Sequence, residues 1–403
     1  MDINKVLILI LIIIIGIAIF YIPQALRVYK MIHLYDEDKI VFNFLNMDKI
    51  FPISKISASK VPHVFETREF KLPDVYLFDG KEHNLLEALD YFRSDGMVVL
   101  HNGDLIYENY WLGNSEDQKH VSWSVAKSFL SALIGIALHK GLIEDLKDPI
   151  TKYLNDFNGT GYEGIPIKDI LQMSSGVKFN EDYADYNSDI NRFGRIIAQG
   201  TSMRDFAKTL KNEKKSGTYN HYVSIDTQML AMLLQEVTGK SITELLQKNI
   251  WDKIGMEHDA YYMLDRSGME VALGGLNASL RDYAKFGLLY LNKGNWKGEQ
   301  IVPAEWVKAS HTPDGKHLLP GENDLSSNSW GYGYQWWIPG FPSTDYTASG
   351  IYNQYIYIDP VTNVVIAKTS SNHKFNQERQ YSKDAHVAIF RAIAKAADSR
   401  GKN

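Results

Sequence analysis

A serine followed three residues later by a lysine can carry a nucleophile and its activating amine on one face of a helix, because residues i and i+3 lie one above the other. That spacing alone is common here: it occurs at Ser57/Lys60, Ser124/Lys127, Ser175/Lys178, Ser371/Lys374 and Ser399/Lys402. Only Ser124 opens a long apolar run, SVAKSFLSALIGIALHK, with Gly141 behind it as a C-terminal cap. The run predicts a buried helix, whereas the other four pairs fall in linker, loop or tail. A lysine in the first turn of an apolar helix is costly, since desolvation disfavours its charged form unless a partner or a function compensates. A plainer reading stands beside this one: Lys127 reaches out to water and Ser124 caps the helix.

Acyl transfer needs three further parts, namely a proton relay, an oxyanion hole and a wall against water. Tyr222, in Tyr222-Val223-Ser224, follows the turn-forming Ser216-Gly217 and precedes the helical stretch DTQMLAMLLQEVTG. Spacing does not single it out, because Tyr107, Tyr153 and Tyr186 begin similar triplets, and an aromatic packing a loop is the ordinary alternative. The aromatic run Trp330, Tyr332, Tyr334, Trp336 and Trp337 reads as strand packing rather than a ligand box.

The elements that must position these residues follow from periodicity and turn signals. A short helix is expected over Leu85–Arg93, then strands over Met97–Leu100 and Leu105–Trp111, joined through His101-Asn102-Gly103-Asp104. Helices are expected over Asp226–Thr238, Ile242–Ile250 and Leu280–Leu291. Strands return over Gly333–Ile338, Gln354–Ile358 and Val364–Lys368, and a helix over Lys383–Ala397 closes the chain. Early strands, a helical middle and late strands imply an α+β fold: one antiparallel sheet built from both chain ends, flanked by helices, with a mostly helical subdomain inserted.

Composition narrows the function. The 403 residues are 45% hydrophobic and 23% charged, with a net charge of -5, so a folded core is expected and no basic face for nucleic acid is implied. The absence of cysteine excludes disulfides and thiol catalysis. The twelve histidines form no HExxH or HxH cluster, so no metal site is expected.

At the N-terminus, Val6 to Leu26 carries no charge. Read as a helix it would reach about 31 Å and span a bilayer. A cleaved signal peptide is the rival, disfavoured by the length of the run and the lack of a small-x-small site. The expected organisation is therefore a transmembrane anchor over 1–30, a linker over 31–75 that wraps onto the domain, and a hydrolase domain over 76–398, with its helical subdomain at about 141–325. Lys5 precedes the span and Arg27, Lys30 and Lys39 follow it, which by charge alone would leave the domain cytoplasmic.

Five segments in order carry a resemblance: Trp123-Ser124-Val125-Ala126-Lys127-Ser128, then Ile170-Leu171-Gln172-Met173-Ser174-Ser175-Gly176, Tyr222-Val223-Ser224 with TGKSITELLQKNIWDKIGM, LNASLRDYAKFGLLYLNKGNWKGEQIVPAEW, and Ala348-Ser349-Gly350-Ile351. Together they resemble the serine β-lactamase and penicillin-binding protein superfamily over roughly residues 75 to 395, in the class C-like branch with 6-aminohexanoate-dimer hydrolase and related esterases. The resemblance implies a β-lactamase/transpeptidase-like fold and an extracytoplasmic catalytic domain. It also implies an acyl-enzyme on Ser124, with Lys127 stabilising a deprotonated or strongly polarised Tyr222 that relays the proton. Backbone N–H groups of Ser124 and Ile351 would form the oxyanion hole. Tyr183, Ser224, Asn277, Ser349 and Gly350 are the substrate-binding candidates.

Two departures matter. Ser224 stands where asparagine is frequent, and Ala348 stands where a lysine often holds a substrate carboxylate. The expected function is a cofactor-free serine amidase or esterase acting on a small-molecule or short-peptide substrate, anchored in the membrane. The alternatives are a penicillin-binding D,D-peptidase or β-lactamase, and a catalytically silent membrane-bound scaffold of the same fold.

Overall fold

The computed structural model describes residues 3–199, 201–340 and 343–400. Among them, seven strands form the main sheet in the order Gly331–Tyr332, Trp337–Ile338, Tyr346–Gly350, Gln354–Asp359, Val364–Ser370, Ser94–His101 and Asp104–Tyr110. All neighbours are antiparallel. The two chain ends meet where Val98 pairs with Ala367 and Val99 with Ile366. The mixed fold with its antiparallel sheet is thus the one expected.

Both faces of the sheet are covered. The C-terminal helix Arg379–Arg400 brings Ile389, Phe390 and Ile393 onto Val99, Val364 and Ile366. On the opposite face lie the helices Ala126–His139 and Leu280–Leu291, where Phe129 stacks on Phe286 with ring centroids 3.7 Å apart. Each such buried phenyl contributes about 1.5–3 kcal/mol relative to exposure. The helix Ala126–His139 is buried along nearly its whole length, with Lys127 inside.

Some element bounds differ from the sequence reading. Of the strand expected over Gly333–Ile338 only Trp337–Ile338 forms; the chain turns at Gln335, φ +63, and Trp337–Ile338 pairs back with a short strand before it, Gly331–Tyr332. The strand Tyr346–Gly350 was not anticipated; Ala348 and Gly350 are too small to give it an apolar alternation. The last helix begins at Arg379 rather than Lys383.

The expected anchor needs correction. Among the described residues no helix is long and apolar enough to cross a membrane, which overturns the single-pass anchor, the membrane partnership and the localisation drawn from it. A helix does form over Ile3–Ile32. The last turn is taken up by protein, with Met31 packed against the core. Met1, Asp2 and the side chains at positions 17, 20, 23, 24 and 27 lie outside the described residues.

The segment that follows is bound to the domain at several points. Ile53–Ile56 pairs antiparallel with Ala260–Met263, which pairs with Leu276–Ala278, which in turn pairs with His120–Val121 just before the Ser124 turn. Phe44 is fully buried, edge-on to Trp123 at 5.4 Å and to Tyr352 at 5.2 Å.

Candidate active site

Ser124 lies in a tight turn, Trp123–Val125, that runs directly into the helix Ala126–His139. Trp123 adopts φ +45, a left-handed conformation unusual for a bulky residue, and this lifts the next residue out of the helical line. Lys127, one turn on, points back: its Nζ is 3.3 Å from Ser124 Oγ and 2.5 Å from the carbonyl oxygen of Leu273. The lysine is 1% exposed. Burial pulls its pKa down to about 7, against the opposing charges of Glu181 and Asp226. It therefore does not extend to water, and near neutral pH a large share of it is free amine.

Tyr222 is held just ahead of the helix Ser224–Thr238, its ring stacked on Trp337 at 5.3 Å and edge-on to Tyr332 at 6.2 Å. Lys127 Nζ is 5.4 Å from the centre of that ring. Burial raises the phenol's pKa, the Glu181 charge raises it further, and the hydrogen bond with Ser124 and the Arg379 charge act the other way. The balance raises the phenol's pKa and so favours a neutral phenol at rest. Residues 124, 127 and 222 are thus within one polar cluster.

The binding candidates scatter more. Ser224 is fully buried; its Oγ donates to Glu181 Oε1 at 2.5 Å and its N–H to Oε2 at 3.1 Å. Tyr183 donates to the same carboxylate at 2.6 Å. Glu181 was not singled out from sequence. Its only signal is its place two residues before Tyr183 in FNEDYADY, and a loop carries no periodicity to mark it. Asp226, also missed, is buried and hydrogen-bonded by the Tyr162 hydroxyl at 2.9 Å, with a pKa raised to about 8 by burial.

Gly350 lies so near the Ser124 turn that a Cβ built on it would be 2.6 Å from Ser122 O and 3.2 Å from the Ser124 nitrogen. Glycine is required there by close approach. Ile351 follows and borders the same cavity as Ser124. Ser349 is turned to the Tyr355 hydroxyl. Asn277 is buried in the strand Leu276–Ala278, its amide bonded to Gly275 O and its Oδ1 unpaired, and it borders neither cavity described here.

Two cavities border this cluster, each of about 630 Å³. One contains Ser124 and Ile351 and is walled mainly by apolar side chains. The other opens at Tyr222 and is polar, with Ser327, Asn328, Arg379 and Lys383 on its wall. Lys383 lies over the rings of Trp330 and Trp337 at 4.1 and 4.5 Å. Burial, then the neighbouring Arg379 charge, draws its pKa down to about 7.

The sequence matches the Beta-lactamase family over residues 83–389. The chain belongs to that family. It is 29% identical over 296 residues to 6-aminohexanoate-dimer hydrolase of Paenarthrobacter ureafaciens, covering 72% of this chain and 75% of that one. It is 25% identical over 274 residues to teichoic acid D-alanine hydrolase of Staphylococcus aureus, covering 65% of this chain and 63% of the other. Among solved structures, a Bacillus anthracis protein assigned as a 6-aminohexanoate-dimer hydrolase superposes with a TM-score of 0.78 at 27% identity, covering 88% of this chain and 95% of that chain. This β-lactamase-family chain is a serine hydrolase with amidase or esterase activity.

Proposed function

We propose that the chain cleaves a small amide or ester through an acyl-enzyme on Ser124, with Lys127 as base and Tyr222 as proton donor to the leaving group. The observation that carries this reading is the buried Lys127 amine, drawn down to about 7 and 3.3 Å from Ser124 Oγ. A free amine in that place accepts the serine proton while Oγ attacks the carbonyl carbon. Negative charge gathers on the former carbonyl oxygen, where the N–H groups of Ser124 and Ile351 receive it. As the bond to the leaving nitrogen or oxygen breaks, Tyr222 gives that atom its phenolic proton, and the proton held on Lys127 then restores the phenol. Water completes the cycle: one of its protons goes to the Lys127 amine, its oxygen attacks the ester carbonyl, and Ser124 Oγ leaves and is reprotonated by Lys127. The balance is one water consumed, one acid and one amine or alcohol released.

The D,D-peptidase and β-lactamase alternative is weakened by Ala348, buried in the strand Tyr346–Gly350 where that chemistry uses a cation. The test is intact mass after exposure to a fluorophosphonate and to activated esters. The parent should gain one adduct, lost in Ser124→Ala; an unmodified parent would refute the reading.

A further inference from the structure

We infer that the acyl half of the substrate is an apolar chain of medium length, received in the cavity that holds Ser124 and selected by a wall that the N-terminal helix helps to build. This deepens the proposed function and rests on Ser124 being the nucleophile.

The two cavities at the cluster are alike in size and opposite in chemistry. Tyr222 opens onto the polar one, with its serine and asparagine side chains and the basic Arg379 and Lys383. A proton donor must face the leaving atom, so the leaving group belongs on that side. Ser124 and Ile351 border the other cavity, so the chain behind the carbonyl carbon extends there.

That cavity offers little to a polar group. Val28, Met31 and Ile32 of the helix Ile3–Ile32 form one wall, Ile190 and Phe193 of the helix Asp189–Gln199 form another, and Leu273 lies between. Besides Ser124, the tyrosine hydroxyls and the buried Trp123 indole N–H, the polar side chains among its described lining residues are Asn191 and Arg195, and each turns donors to backbone carbonyls. Asn191 donates to the carbonyl oxygens of Tyr183 and Asp185. Arg195 donates to Tyr186 O and stacks on the Tyr186 ring at 3.9 Å. At about 630 Å³ the space falls within the range of pockets that bury a small-molecule ligand. An acetyl group would leave most of it unfilled.

Methylenes that enter such a space leave water, and each should raise kcat/KM about two- to fourfold. The experiment uses the full chain and p-nitrophenyl esters from acetate to octanoate, below their micelle concentrations, so that the leaving group is constant. Gly194 borders the cavity, and a Cβ built on it meets nothing within 4 Å. Gly194→Leu therefore starts its added bulk in open space, and Met31→Asn makes another wall polar.

The expected result is a rising profile in the parent, with the octanoate-to-acetate ratio cut at least about tenfold in both variants and thermal melting checked for each. A flat or falling profile in a parent that turns over acetate overturns the acyl-chain assignment and leaves the serine hydrolase standing, as does an unchanged ratio in both variants. If no ester reacts and a fluorophosphonate leaves Ser124 unmodified, the nucleophile assignment falls, and this inference with it.

Discussion

The Glu181 carboxylate accepts both the hydroxyl and the backbone N–H of Ser224, at 2.5 and 3.1 Å, and is so held near Lys127 and Tyr222. That charge raises the pKa of Lys127 and of Tyr222. Lys127 acts as a base only when unprotonated, so kcat/KM should rise with pH through about 7 and then level. Glu181→Gln removes the opposing charge, lowers the lysine pKa, and should move that limb to lower pH by roughly half a unit to one unit. A pH profile that loses height without moving would assign Glu181 a packing role only.

Tyr222→Phe tests the proton donor. The ring stack on Trp337 is kept, so melting should change little, while kcat falls by about 10²–10⁴. Amides should suffer more than p-nitrophenyl esters, whose leaving group departs without help. Equal losses on both substrates would show that the hydroxyl does not serve the leaving atom.

Gly350→Ala would force a methyl against Ser122 O and towards the Ser124 amide. Displacing an oxyanion donor costs about 10²–10³ in kcat. Stopped-flow acylation should slow by that order, with KM little altered. Normal acylation in this variant would mean that the strand end has no part in holding the oxyanion.

Ala348 supplies no cation for a substrate carboxylate, and a charge-assisted hydrogen bond of that kind contributes about 1.5–3 kcal/mol. Nitrocefin should therefore be a poor substrate, hydrolysed at least about tenfold less efficiently than the best ester. Turnover of nitrocefin at the ester rate would restore the β-lactamase alternative.

The legible part of the site was the part written in helical spacing. Ser124 and Lys127 are one turn apart at the head of an apolar helix, and Tyr222 immediately precedes another. The antiparallel sheet could be read because Gln354–Asp359 and Val364–Ser370 are rich in β-branched and aromatic residues. Glu181 and Asp226 were hidden because their significance is a charge brought near Lys127 by folding, which no local pattern records. The segment from 31 to 75 was opaque for a related reason: its aromatics are isolated, and their partners Trp123 and Tyr352 lie far away in sequence. Apolar composition alone likewise misassigned the helix Ile3–Ile32, whose last turn borders the Ser124 cavity.

Those distant partners share an unusual backbone. Trp123 at φ +45 and Tyr352 at φ +61 stand next to Ser124 and Ile351, and conformations of this kind cost about 1–3 kcal/mol each. Tyr35 stacks flat on Tyr352 at 5.0 Å, and Phe44 is edge-on to both rings. Tyr35 and Phe44 therefore brace both strained positions from the N-terminal side of the chain. A protease nick near Tyr35 would release the catalytic backbone while the sheet stayed folded, so activity would be lost well before the protein lost its melting transition.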